Sequence, residues 1–286
     1  GNTYMTGIIW ACVATLLAAC APILAKAGTK KTDPALSGSI AGIVLCVVIF
    51  FCAKPQILAE SSGLLGQKGI IFVLLAGLAT GLFGISFFKA LHEGVTSGVV
   101  TIVRCSYVIT LVAGVFIFHS SMSVKDYIVI ALMIASAVVL NLDERKAAFS
   151  LLASVCAAGA VILIKYSGAQ TDRSVIAFWC VFIGAVVLVI YTIAQGGTKK
   201  IKSMSFVDGI CLILAGIAFP VSHDFYNRAL GMAGGIATYI FNMVLLVMMI
   251  CSAVILKEKI SGKKLIGAAL FILALFVMQQ TTFFGI

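Results

Sequence analysis

Apolar and polar residues do not alternate along this chain. The apolar residues come in ten blocks of about twenty, divided by short loops that hold nearly every charge. A helix needs about 20 apolar residues to cross a bilayer core of about 30 Å. The pattern therefore predicts crossings over 5–25, 34–53, 69–88, 94–118, 124–142, 149–168, 174–194, 206–226, 234–256 and 264–284. The breaks carry charge or turn chemistry: Lys30-Lys31-Thr32-Asp33-Pro34, Lys54-Pro55, Asp143-Glu144-Arg145-Lys146, Gly196-Gly197-Thr198-Lys199-Lys200 and Lys257-Glu258-Lys259. Pro22 and Pro220 fall inside crossings and are expected to kink them, because proline removes an amide donor and frees a carbonyl. The expected fold class is an all-α polytopic membrane protein.

Composition narrows the function classes. Of 286 residues, 62% are hydrophobic and 10% charged, with a mean hydropathy of +1.18. Soluble chains sit at about 45–50% apolar and about 25% charged. A water-soluble enzyme, a disordered chain, a secreted disulfide scaffold and a coiled coil are all excluded. The formal net charge of +10 comes from cations scattered over loops, which suits loops beside anionic lipid rather than nucleic acid. Nine cysteines lie inside apolar blocks, none in a CxxC pair, and the three histidines are distant from them. They read as small apolar filler, so neither a metal nor a cofactor is expected. The start at Gly1-Asn2-Thr3 reads as a processing remnant, and the first block is not expected to be a cleaved signal.

The chain also repeats itself at an offset of 139. Lys89-Ala90-Leu91 ends the third block and Arg228-Ala229-Leu230 the eighth. Lys26 maps onto Lys165, Ile23-Leu24 onto Ile162-Leu163, Gly77 onto Gly216, and Gly81 onto Pro220. One shift that joins several landmarks signals duplication. The expected halves are 1–144 and 145–286, each with five crossings. An odd number per half inverts the second copy, and two inverted repeats around a midplane site are the architecture of secondary transporters. One face carries Lys54, Lys68, Lys125, Lys165, Arg173 and Arg228. The other carries Lys26, Lys30, Lys31, Lys89, Arg145, Lys146, Lys199, Lys200, Lys202, Lys257, Lys259, Lys263 and Lys264. By the positive-inside rule, both termini are expected outside the cytoplasm.

Two motifs carry a family resemblance. The (Lys/Arg)-Ala-Leu endings are each followed by a small-residue entry to the next helix, His92-Glu93-Gly94-Val95-Thr96-Ser97-Gly98 and Gly231-Met232-Ala233-Gly234-Gly235. The last two crossings are joined by Leu256-Lys257-Glu258-Lys259-Ile260-Ser261-Gly262-Lys263-Lys264-Leu265-Ile266-Gly267. The chain thereby resembles the ten-helix EamA branch of the drug/metabolite transporter superfamily. The first half departs from the pattern, with His119-Ser120-Ser121-Met122-Ser123 in place of the acidic motif. The first block also lacks the embedded carboxylate of the small multidrug exporters, which argues against proton-coupled export of drug-like cations. The resemblance implies a cavity between the halves, lined by the first, third, fourth, sixth, eighth and ninth crossings.

Ionisable groups inside a bilayer are costly and by default functional. Arg104 lies eleven residues beyond Glu93, about 16 Å deep at 1.5 Å per residue. Ser97, Thr101, Arg104 and Cys105 share one helical stripe. Arg104 can serve substrate or gating, or be locked to backbone carbonyls or a partner helix. Gly216, Pro220, His223, Asp224 and Asn227 form a second stripe in the eighth block. Asp224 is the acid placed well inside a crossing, able to carry a proton, bind an amine or neutralise Arg104. His223 reads equally as a satisfied core histidine or a functional one. Thr238 and Asn242, with Tyr239 alongside, suit a polar substrate as well as they suit helix–helix contact. Tyr107, Trp10 and Trp179 read as interface anchors or packing, with Tyr107 retained as a candidate contact. Lys26 and Lys165 are expected to snorkel to water, and Gly77, Gly81 and Gly84 to mark close helix packing.

Enzyme motifs are missing: there is no HExxH, G-x-S-x-G, Walker loop or GxGxxG, so the chain is not expected to be an enzyme. The expected function is secondary transport by alternating access, exporting or exchanging a small polar metabolite. An amino acid or related zwitterion leads, with Arg104 meeting a carboxylate and Asp224 an amine as one unit. A phosphorylated metabolite or nucleotide sugar is the alternative, and a non-transporting scaffold the bland rival. The expected partners are the small-molecule substrate, membrane lipid, and a proton or counter-substrate, with no nucleic acid. The expected location is a bacterial plasma membrane.

Overall fold

The computed structural model describes residues 1–141 and 147–279. The Asp143–Lys146 charge run, the 144/145 boundary and the end of the last predicted crossing lie outside the described residues. Among those described, the secondary structure is helical throughout. The elements are α1 (Asn2–Thr29), α2 (Pro34–Leu65), α3 (Ile70–Glu93), α4 (Thr96–Arg104), α5 (Ser106–Phe118), α6 (Val124–Asn141) and α7 (Ala148–Ser167). They continue with α8 (Arg173–Ala194), α9 (Gly197–Ile201), α10 (Phe206–Ala233), α11 (Gly235–Phe241), α12 (Val244–Ile255) and α13 (Gly262–Gln279). Among the described residues, nine stretches are long and apolar enough to cross a membrane, with α4–α5 and α11–α12 each counting once. The further helix α13 stands at the tenth predicted position. This is an integral, multi-pass, all-α membrane protein.

These helices are apolar nearly all round, as a bilayer permits and water does not. Phe51, Phe116, Phe206 and Val254 are each at least 70% exposed. Small residues instead mark several helix contacts, among them Ala11, Ala229, Ala233 and Ala237. Such residues let backbones approach closely where lipid offers no hydrophobic drive for association.

The second crossing does not stop at Lys54-Pro55, as its charge and proline suggest. It kinks at Ala53 (φ −123°, ψ 20°) and continues to Leu65. Pro55 falls in the first turn of the new piece, where its missing amide is not needed. Ile57 and Leu64, seven residues apart on one face, are buried and hold that piece in place. By contrast, α1 and α10 run unbroken through Pro22 and Pro220.

Two compact units are present, and neither coincides with a half of the sequence. One gathers residues from Gly1–Ile23, Gly94–Ala147 and Ala218–Ile286; the other comprises Leu24–Glu93 and Ala148–Ile217. In the second unit, α3 packs on α7 and α8, and α2 on α8. A Cβ added at Gly77, Gly81 or Gly84 would sit 2.7–2.8 Å from Ile183, Val187 or Leu188. The close helix packing expected of those glycines is therefore real. At one end of this unit Lys200 Nζ meets Asp33 at 2.7 Å, and Thr32 donates to Asp208. At its other end Gln67 donates to Thr171, and the Asp172 amide donates to Glu60. Successive crossings of this unit are thus antiparallel, and the lysines at 30, 31, 199, 200 and 202 lie at one end of it, the first two before α2 and the others in or beside α9.

In the first unit α6 packs on α13 and α4, and α4 on α12. Its core joins Val100, Val108, Val129, Met133, Val244, Leu245, Met248, Met249 and Phe271. All eight candidate site residues lie in this unit.

Candidate functional site

The fourth crossing is broken where its charge sits. Helix α4 ends at Arg104, Cys105 adopts φ −64°, ψ −5°, and α5 starts at Ser106. Thr96 to Ile102 are buried, whereas Arg104 and Tyr107 are half-buried. The Thr101 hydroxyl donates to the Ser97 carbonyl at 2.8 Å, so within the helix it is already satisfied. The Arg104 guanidinium stands at the carbonyl end of α4, where the helix dipole favours a cation. Tyr107 packs against the core of α6 and α12.

Asp224 does not pair with Arg104. Among the described residues the ion pairs are Lys200–Asp33 and Arg228–Asp224. Arg228 Nε donates to Asp224 Oδ2 at 2.9 Å, with both side chains about half exposed. The physical reason is local: residues four apart on a helix are neighbours, and no ordering of a second helix is needed. The same Arg228 lies over the Trp10 ring, 5.8 Å from its centroid, and Trp10 meets Phe225 edge-on. Trp10 is therefore packing, and so is Trp179, which donates to Ser61 and abuts Phe178.

His223 is exposed. Its Nδ1 lies 3.1 Å from the Phe219 carbonyl, and its ring lies 4.9 Å from that of Phe219. Tyr226, one turn below, stacks on Phe241 at 4.5 Å and donates to the Thr238 hydroxyl at 3.0 Å. Tyr226 and Phe241 escaped the sequence reading, because aromatic residues in an apolar block carry no periodic signal of their own.

The ninth crossing is broken as well. Helix α11 ends at Phe241, Asn242 caps it, and α12 starts at Val244. Asn242 Nδ2 is buried and has no hydrogen-bond partner among the described residues. Tyr239 is 40% exposed and stacks on Phe276 of α13 at 5.1 Å, which turns it to a different neighbour from Thr238. At the ends of other crossings, the Lys26 ammonium donates to the Leu91 carbonyl rather than simply reaching for water. Lys89 donates to the Tyr191 hydroxyl at 3.0 Å.

What holds α4 was also missed. Glu258 Oε1 accepts from both the Thr96 amide, at 3.2 Å, and the Thr96 hydroxyl, at 2.9 Å. Asn141 Nδ2 donates to the Gly98 carbonyl at 3.4 Å, and a Cβ at Gly98 would stand 2.5 Å from Asn141 Oδ1. Glu258 belongs to a motif visible in the sequence, but a partner 162 residues away is not.

Comparison with known proteins agrees with this architecture. The model of the EamA-like transporter family matches the chain twice, over residues 5–142 and 145–279. A protein described as an uncharacterized transporter in the cobO 3' region of Sinorhizobium sp is 26% identical over 132 residues, 46% of this chain and 93% of the relative. A protein crystal structure superposes with a TM-score of 0.56 at 15% identity, covering 98% of both chains. That likeness concerns the fold alone.

Proposed function

This chain belongs to the EamA-like transporter family, and on that premise we propose that it exports or exchanges a small polar metabolite carrying a carboxylate, an amino acid or related zwitterion first. Transport proceeds by alternating access between the repeats 1–144 and 145–286, in a bacterial plasma membrane with both termini outside the cytoplasm. The double family match supports the repeats, since each match covers one half.

One observation carries the substrate class. Arg104 ends a helix inside a crossing, and none of the described carboxylates pairs with it. A cation at such depth that no described carboxylate meets is costly and by default functional. A substrate carboxylate supplies the missing countercharge in a bidentate geometry that suits guanidinium. Asp224 serves the ammonium end. Its pair with Arg228 is half exposed, and exposed ion pairs hold weakly, so an entering amine can replace Arg228 at small cost. Asn242, with its free buried amide, adds a neutral polar contact.

Counterflow in proteoliposomes, screened across amino acids and phosphate esters, tests the reading. Saturable exchange of an amino acid, lost in Arg104→Ala, is the expected result. Saturable exchange of a phosphate ester with none of any amino acid overturns it.

A further inference from the structure

We propose that Glu258 is the positioning residue of Arg104, acting through the nine-residue helix that carries it. The inference rests on Arg104 being the anion site. Helix α4 has Val95 at its N-cap, with no side-chain cap from its own segment. The first amides of any helix lack intrahelical acceptors, and leaving them unsatisfied in a buried place is costly. Thr96 is fully buried. The acceptor is supplied from the other half of the chain: Glu258 Oε1 takes both the amide and the hydroxyl of Thr96.

The local backbone is built to present that carboxylate. Helix α12 ends at Ile255, and Lys257 adopts φ 57°. The Glu258 amide donates back to the Ser252 carbonyl, which folds the chain back over the last turn of α12. A non-glycine residue in the left-handed region is uncommon and marks a conformation that its surroundings enforce. Here it turns Glu258 toward α4. The second carboxylate oxygen is buried without a hydrogen-bond partner among the described residues, so helix α4 is the anchor of this side chain. At the far end of α4, about 12 Å away at 1.5 Å per residue, the helix breaks at Cys105 just after Arg104. A short rigid rod with a clamp at one end and the charge at the other transmits any loosening of the clamp to the guanidinium.

Under the repeat, this clamp is present on one side. At the offset of 139, Glu258 corresponds to His119 and Thr96 to Gly235. Helix α11 starts after Gly234 with no side-chain cap. The half that carries the charge is clamped, and its counterpart is not.

The test uses the full-length purified chain and two readouts that need no substrate: amide exchange over 96–104, and site-resolved labelling of arginines by phenylglyoxal. In Glu258→Ala, exchange of the first α4 amides rises about tenfold, the loss of one cap. Labelling of Arg104 changes by about threefold as its local opening alters, while exposed Arg173 and Arg228 stay unchanged. Glu258→Gln keeps an acceptor oxygen and restores both readouts. Thr96→Ala, which removes one of the two bonds, moves them in the same direction by less and stands in if Glu258→Ala does not fold. Faster exchange with unchanged Arg104 labelling reduces Glu258 to a cap and overturns the proposal. Equal changes at all arginines show general loosening and overturn it too. If Arg104→Ala retains transport, the anion-site reading fails, and these labelling results register separately.

Discussion

The two broken crossings, 96–118 and 235–255, are counterparts under the repeat, yet they carry different chemistry. Cys105 corresponds to Val244 at the offset of 139, so both breaks fall within a residue or two of one repeat position. The first piece ends in a guanidinium and is clamped by a carboxylate from the other half. The second ends at a neutral amide and begins behind Gly234, at φ 59°, without a side-chain cap. The same discontinuity occurs in both copies of the repeat, one of them charged and capped by a side chain, the other neutral and without a side-chain cap. A substrate with one strong anionic feature needs one such charge, whereas two facing guanidinium groups would repel.

The largest expected effect tests that division of labour. Arg104→Ala should lower the kcat/KM of counterflow about 100-fold, the order expected for a lost hydrogen-bonded charge, whereas Asn242→Ala should cost about fivefold, a neutral contact. Equal losses would erase the distinction between the two breaks.

A double-mutant cycle sharpens it further. Because Asp224 is held by Arg228 and not by Arg104, the stability changes of Arg104→Ala and Asp224→Ala should add to within about 0.5 kcal/mol. A coupling above about 1 kcal/mol would mean that the two charges meet in the resting protein after all.

Glycine substitutions probe the starts of the two helices. Gly98→Ala should destabilise by about 1–3 kcal/mol in thermal melts, the usual cost of forcing atoms into filled space, since its Cβ would meet Asn141 at 2.5 Å. Gly235→Ala meets nothing within 4 Å and should stabilise by about 0.4–1 kcal/mol through the unfolded chain. Loss at both positions would show that α11 is as tightly seated as α4.

The smallest effect belongs to a control outside both helices. Burial raises the Asp33 carboxyl, but the Lys200 hydrogen bond, the Leu36 amide and the Lys200 charge outweigh it, so its pKa lies below the ordinary 3.8. A depressed carboxylate contributes stability above its unfolded pKa and loses it as pH falls through the folded value. Lys200→Ala should therefore melt slightly lower than the parent near neutrality, and the gap should close as pH drops below about 3.8. Transport should be unaffected, since the pair lies in the unit without Arg104.

Much of this was legible beforehand, for definite reasons. Block length located the start of each crossing to within three residues, because the bilayer imposes about twenty apolar residues whatever the neighbours. The glycines at 77, 81 and 84 announced a close approach, since a small residue repeated on one face has little other use. The second crossing misled, because Lys54-Pro55 reads as an ending. Buried Ile57 and Leu64 carry the helix beyond it. Asp224 misled differently: its depth suggested a distant partner, and a neighbour on its own helix took it.

By itself the sequence determined the class of the protein, its membrane setting, its crossings, its duplication and the presence of a charge inside the fourth crossing. All of these follow from hydropathy, length and self-similarity, which are properties of residues in order along one strand of chain. Only the tertiary structure decided where the helices break, that Asp224 belongs to Arg228, and that Glu258 reaches across 162 residues to cap the helix bearing Arg104. Those outcomes depend on which donors are left without acceptors once the helices pack. That competition is settled in space, between groups whose separation in sequence says nothing of their distance.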